Sequence, residues 1–141
     1  HTWCRVMKQL LKIDPAAATP IWRQIEDELR RRVASGRLRP GEAIPSVREL
    51  CRSLRVNPAT VSKAYQRLAE AGLLEVRRGE GTFVAALTDE QLHAERQRLL
   101  DEAAAGFVRV AGSVGAEREE AMRTAQSMWD AMSEGGRGKK P

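Results

Sequence analysis

The chain of 141 residues is poor in the residue types that build most chemistry: two cysteines, two histidines, one tyrosine, two phenylalanines, and 4% aromatics in all. Cys4 and Cys51 alone make no disulfide framework, and Cys51 falls on an apolar helical stripe, which points to a reduced, cytoplasmic chain. His1 and His93 stand apart from each other and from any cysteine at ligand spacing, so neither a metal nor another cofactor is expected. No run approaches the roughly 20 apolar residues that cross a bilayer, so no membrane partner is expected. There is no nucleophile and base in a known spacing, no carboxylate pair and no phosphate loop. Glu80 between Gly79 and Gly81 matches none of these, and an enzyme is not expected.

What the chain has in quantity is charge, unevenly placed. The total is +5, but residues 20–86 carry 13 Lys/Arg against 8 Asp/Glu, whereas residues 87–134 carry 5 against 10. A basic first half suggests a polyanionic partner, and the acidic second half a different task. The length fits one domain, or a small domain with an appendage. His1–Val6 precede Met7, a plausible native start, and are set aside as an appended segment or a misplaced start. Residues 1–19 read as an N-terminal arm that docks its Leu and Ile side chains. Residues 135–141, Gly-Gly-Arg-Gly-Lys-Lys-Pro, read as a flexible basic tail.

The stretch Pro45 to Leu68 carries the densest signals. Ser46 followed by Glu49 is a capping box that opens a helix, and Val47, Leu50, Cys51 and Leu54 place one apolar stripe on it. Asn57 caps a second helix with Pro58 at its first position, and Val61, Ala64, Tyr65 and Leu68 repeat the spacing. Pro58, Ala59, Thr60, Ser62 and Lys63 are left outward, short enough at the start for the helix to lie in a major groove. Two such helices joined by a tight turn are a helix-turn-helix.

Upstream, Ile21, Trp22, Ile25, Leu29 and Val33 form the apolar face of a helix that starts at Pro20, carries Arg30, Arg31 and Arg32 near its negative end, and stops at Ser35-Gly36. Residues 37–45 suit a turn and a very short strand. Downstream, Gly72 stops the second motif helix, and Leu73–Arg77 and Thr82–Ala85 read as strands around Arg78-Gly79-Glu80-Gly81. Three helices followed by a two-stranded ribbon are a winged helix. Arg77 and Arg78 at a glycine-rich tip suit close approach of backbone to phosphates, or of Arg to a minor groove.

Residues 20–86 resemble the N-terminal domain of the GntR family of bacterial transcription regulators. The resemblance rests on Ile25, Gly36-x-Leu38-x-Pro40-Gly41, Ile44-Pro45-Ser46-x-Arg48-x-Leu50, Val56-x-x-x-Thr60-Val61, Tyr65-x-x-Leu68, Gly72-x-Leu74 and Arg78-x-x-Gly81-Thr82-x-Val84. It implies DNA contacts from Arg48, from Asn57, Pro58, Ala59, Thr60, Ser62 and Lys63 at the start of the recognition helix, and from Arg78, Gly79 and Gly81 at the wing. Ser46, Arg77 and Thr82 complete the expected DNA-binding set. Pro58 and Ala59 stand where other members can carry longer polar side chains, so readout there is apolar contact or none.

Residues 87–134 are too few for the large effector domains of bigger members. Residues 88–106, with Thr88 as N-cap, and 116–133 read as amphipathic helices on either side of a Gly112–Gly115 turn. The tail resembles that of the short YtrA-type subfamily, which implies a two-helix dimer interface. The expected dimer contacts are Leu92, Leu99, Leu100, Phe107, Met122, Met128, Trp129 and Met132. The residues alone allow either a symmetric partner or folding back on the winged helix.

The whole is expected to be mainly α with a small β-wing: a winged helix-turn-helix DNA-binding domain followed by a helical dimerisation segment. The expected function is that of a homodimeric regulator, a repressor on a palindromic operator in double-stranded DNA, with any small-molecule effector unknown. The other class open to this fold is a non-sequence-specific architectural or protein-interaction module.

Overall fold

Apolar residues three and four apart decide where the first helix lies. In the computed structural model, which describes residues 11–137, α1 (Ile21–Ala34) buries Ile25, Leu29 and Val33 completely and leans Ile21 and Trp22 on the same core. Gly36, at φ 79°, ends it. The chain then passes through β1 (Ala43–Ile44), α2 (Val47–Leu54), α3 (Pro58–Glu70), β2 (Leu74–Arg77) and β3 (Gly81–Val84) into α4 (Asp89–Ser113) and α5 (Arg118–Arg137). It divides into two compact units after Gln97.

In the first unit both motif helices start as their caps dictate. The Glu49 amide donates to Ser46 Oγ at 3.1 Å, and the Ala59 amide donates to Asn57 Oδ1 at 2.8 Å. The turn between them holds Arg55 at φ 56°, ψ 47°, a left-handed cap occupied by a residue with a Cβ. Val61, Ala64, Tyr65 and Leu68 are all buried, against Leu50 and Cys51 of α2 and the inward face of α1. The Tyr65 hydroxyl donates to the Pro45 carbonyl at 2.7 Å and so pins α3 to the segment that enters α2. Burying a side chain the size of Leu stabilises by about 1.5–3 kcal/mol, so the packing of α1 on α3 dominates this unit.

The expected two-stranded ribbon is a three-stranded antiparallel sheet in the order β1-β3-β2, because Ala43 pairs with Phe83 and Ile44 with Thr82. A two-residue strand is too short to show alternation, which is why sequence alone leaves it beside the ribbon rather than in it. Leu11 is buried in the core and Ile13 packs beside it, so the arm docks. Gln24 holds the arm by hydrogen bonds with the backbone of Asp14 and Thr19.

The arginines near the end of α1 do more than face a dipole. Arg32 is buried and pairs with Glu28 at 3.0 Å. Arg30 pairs with Glu26 and with Glu95 of α4, each at 3.1 Å. Glu26, itself buried, also accepts from Arg67 Nε of α3 at 2.8 Å. One carboxylate therefore links α1 to α3, and through Arg30 to α4.

The second unit comprises the rest of α4, a turn at Gly115 (φ 75°), and α5. Thr88 starts α4 with a complete capping box, its hydroxyl accepting from the Gln91 amide while Gln91 Oε1 accepts from the Thr88 amide. The helix ends at Ser113, not near 106: Gly106 and Gly112 cost helix propensity but do not break it when the flanking Ala, Val and Phe residues continue the pattern. Likewise α5 runs to Arg137, three residues into the segment read as a flexible tail, since nothing at Gly135 forces a left-handed cap. Residues 138–141 of that tail, and residues 1–10 with the proposed start and Cys4, lie outside the described residues.

Candidate nucleic-acid interface

The exposed side of the helix-turn-helix is built by what the core takes away. With Val61, Ala64 and Tyr65 turned in, α3 leaves Asn57, Pro58, Ala59, Ser62 and Lys63 exposed and Thr60 half-exposed around its N-terminus. The start of a helix carries partial positive charge; its first amides are taken within the turn, Ala59 by Asn57 Oδ1 and Thr60 by the Asn57 carbonyl, so the face is offered by side chains, and no bulky one keeps a phosphate or base edge away. On α2, Arg48 is exposed, as is Arg52 one turn further. Arg52 was not singled out from the sequence, although its spacing of four from Arg48 puts both on one face. Ser46 is half-buried, and its hydroxyl oxygen accepts from the Glu49 amide, which positions α2 and leaves the hydroxyl hydrogen to donate.

The wing turns at Arg78–Gly81. Gly79 has φ 77° and Gly81 φ 127°, regions that residues with a Cβ rarely adopt. Open space surrounds Gly79, and a Cβ on Gly81 would meet only Phe83 Cε2 at 3.9 Å, so the demand for glycine is conformational. Arg78, Gly79 and Gly81 are exposed at the tip. Arg77 lies back over the Phe83 ring, its Cζ 4.2 Å from the centroid, and 3.6 Å from Glu75. Thr82, expected among the DNA contacts, lies inward instead. It is buried, because β3 alternates and Thr82 shares the inward face with Val84.

One feature of this surface was legible in the sequence only as core. The half-buried Trp22 of α1 lies beside α3, with Lys63 Nζ 4.3 Å and Arg67 Cζ 5.0 Å from its ring centroid. Hydrogen bonding to Glu26 holds the Arg67 guanidinium further above its already high pKa.

The expected dimer contacts fall in two places. Leu92 is half-buried and packs against the core of the first unit, because the first turns of α4 belong to the winged-helix unit. Leu99 is half-buried, whereas Leu100, Phe107, Met122, Met128, Trp129 and Met132 are exposed in the single chain. Among the described residues no helix is long and apolar enough to cross a membrane, and no cluster of His, Cys, Asp and Glu has the makings of a metal site.

An exposed, capped recognition helix beside a glycine-tipped cationic wing defines a DNA-binding transcription regulator of the winged-helix class. Residues 22–84 match the model of the bacterial regulatory proteins of the gntR family. The chain is 34% identical over 111 residues to the HTH-type transcriptional repressor YtrA of Bacillus subtilis, covering 79% of this chain and 85% of that protein. It is 36% identical over 104 residues to the regulator YhcF of the same organism, covering 74% of this chain and 85% of that one. Among solved structures, the GntR-family transcription factor YtrA from Sulfolobus acidocaldarius superposes with a TM-score of 0.53 at 34% identity, over 68% of this chain and 98% of that one. The chain belongs to the GntR family, whose members are regulators rather than enzymes.

Proposed function

We propose that the protein is a homodimeric repressor that acts in the cytoplasm on a two-fold symmetric operator, each recognition helix entering one half-site. The observation that carries this is the pairing of two exposed surfaces of opposite character. The first is the cationic helix-turn-helix face with Arg48 and Lys63. The second is the apolar face of the C-terminal unit, where Trp129 is 75% exposed and Met132 72%. Large exposed apolar side chains grouped on one unit mark a contact surface. A two-fold partner is the simplest occupant, since isologous dimers are the commonest assembly and half-sites about one helical turn apart need two recognition helices. The B. subtilis relative is named a repressor, which supports the direction of control.

In this reading Arg48, Asn57, Pro58, Ala59, Thr60, Ser62 and Lys63 meet the major groove or its phosphates, and Arg78 with the amides of Gly79 and Gly81 meets the backbone beside it. The test is selection of bound duplexes from a random pool, followed by competition between the selected sequence and unrelated DNA. Arg48→Ala is expected to weaken the selected complex by about 1–3 kcal/mol. If Arg48 reads a base, preference at one position relaxes; if it holds phosphate, all sequences weaken and the salt slope falls by about one. Equal competition by any duplex would instead mark an architectural DNA binder.

A further inference from the structure

Lys63 is an exposed cation on the recognition helix, and among the described residues it has no carboxylate partner. Its ammonium nevertheless has a defined place, 4.3 Å from the centroid of the Trp22 ring. One turn further along α3, Arg67 sits over the same ring at 5.0 Å, but its Nε is 2.8 Å from Glu26. Of the two cations on this indole, Lys63 is the one with no carboxylate partner among the described residues. The platform itself is fixed, because Trp22 packs on the core and α1 is tied to α3 through Glu26.

From this geometry we infer that Trp22 is a positioning residue for DNA binding, holding the Lys63 ammonium in place for a contact with a backbone phosphate. The inference rests on the reading that the start of α3 meets DNA. A lysine in solvent spreads over many rotamers, and ordering it on a phosphate costs entropy. A carboxylate partner would order it too, but would have to be displaced before the phosphate could bind. A ring face orders the cation without cancelling its charge, and leaves ammonium N–H groups free to donate.

The test uses the full chain and a labelled duplex of mixed sequence, because phosphate contacts are independent of sequence and show in the salt slope. Lys63→Ala is expected to lower that slope by about one. Trp22→Leu, which keeps an apolar side chain against the core, is expected to weaken binding about two- to fivefold at low salt, the range of an exposed cation–π contact. Trp22→Tyr, which restores a ring, is expected to recover most of that loss. In the Lys63→Ala background Trp22→Leu should change nothing further, a null that a purely structural role for Trp22 would not give. If Trp22→Leu melts too low to assay, Trp22→Tyr and Trp22→Phe in both backgrounds complete the same cycle, with the weaker Phe ring expected to bind less tightly than Tyr. Equal losses from Trp22→Leu with and without Lys63 would overturn the positioning role alone. If Lys63→Ala and Arg48→Ala both leave the duplex affinity and salt slope unchanged, the DNA-facing reading of this surface falls instead.

Discussion

Tyr65 shows how much of the site hangs on single side chains. It is the only tyrosine in the chain, it is buried, and its hydroxyl donates to the buried Pro45 carbonyl. Burial, reinforced by the nearby negative charge of Glu49, pushes its phenol well above its ordinary value. A folded-state pKa raised in this way means that the unfolded chain loses the proton first. The stabilisation is therefore complete below about pH 10, the ordinary phenol value, and is lost as the pH rises beyond it. Tyrosinate absorbance, which reports this one residue, should not develop until the chain unfolds, and then together with the loss of helical circular dichroism. Tyrosinate appearing at the ordinary pH in a chain still folded would contradict the buried hydrogen bond. Tyr65→Phe should cost about 1–3 kcal/mol in urea unfolding, the penalty for leaving a buried carbonyl without its donor.

At the scale of elements, the helix-turn-helix is held by polar as well as apolar links. Glu26 is the shared acceptor of Arg30 and Arg67, and Arg30 carries the link on to Glu95 at the start of α4. Glu26→Gln should destabilise the first unit by about 2 kcal/mol, because Arg30 and Arg67 lose the charged acceptor that links α1 to α3. Equilibrium unfolding checks this. A loss below about 1 kcal/mol, the range of exposed pairs, would mean that the cluster is screened by water. The wing is held differently: its strands pair Leu74 with Val84 and Arg77 with Gly81, while Gly79 and Gly81 supply backbone angles that other residues resist. The recognition helix is thus locked to its scaffold by ions and packing, and the wing tip by backbone hydrogen bonds and the glycine angles that permit its turn.

At the scale of the whole molecule, the C-terminal unit leaves large apolar side chains exposed in the single chain. In the proposed dimer Trp129 is a central anchor, of the kind that carries most of an interface's energy. Trp129→Glu should leave the helical content unchanged, since the side chain is 75% exposed in the single chain. It should turn a dimer into a monomer by sedimentation at micromolar concentration. Affinity for a palindromic duplex should fall about a hundredfold or more, as the linkage of two half-sites is lost. A wild-type chain that sediments as a monomer and binds a half-site as tightly as a palindrome would sink the dimer. A truncation designed for the same purpose belongs after Gln97 rather than after Ala86, because Leu92 and Glu95 complete the winged-helix unit.

The sequence by itself determined the helices of the first unit and the apolar faces that α1, α2 and α3 turn to its core. Caps such as Ser46, Asn57 and Thr88, and apolar spacings such as Val61-Ala64-Tyr65-Leu68, act within a few residues and need no distant partner to be effective. The exposed start of α3 and the glycines of the wing were legible for the same reason. Whatever depended on residues far apart in the chain was decided by tertiary structure. The pairing of Ala43–Ile44 with β3 makes the third strand; Glu26 meets Arg67 across 41 positions; Leu92 returns to the core; and Trp22 passes beneath Lys63. Two of these contacts involve side chains that read as solvated charge or plain core when taken alone. A sequence pattern records which face of an element is apolar, but not which neighbour that face, or its rim, will meet.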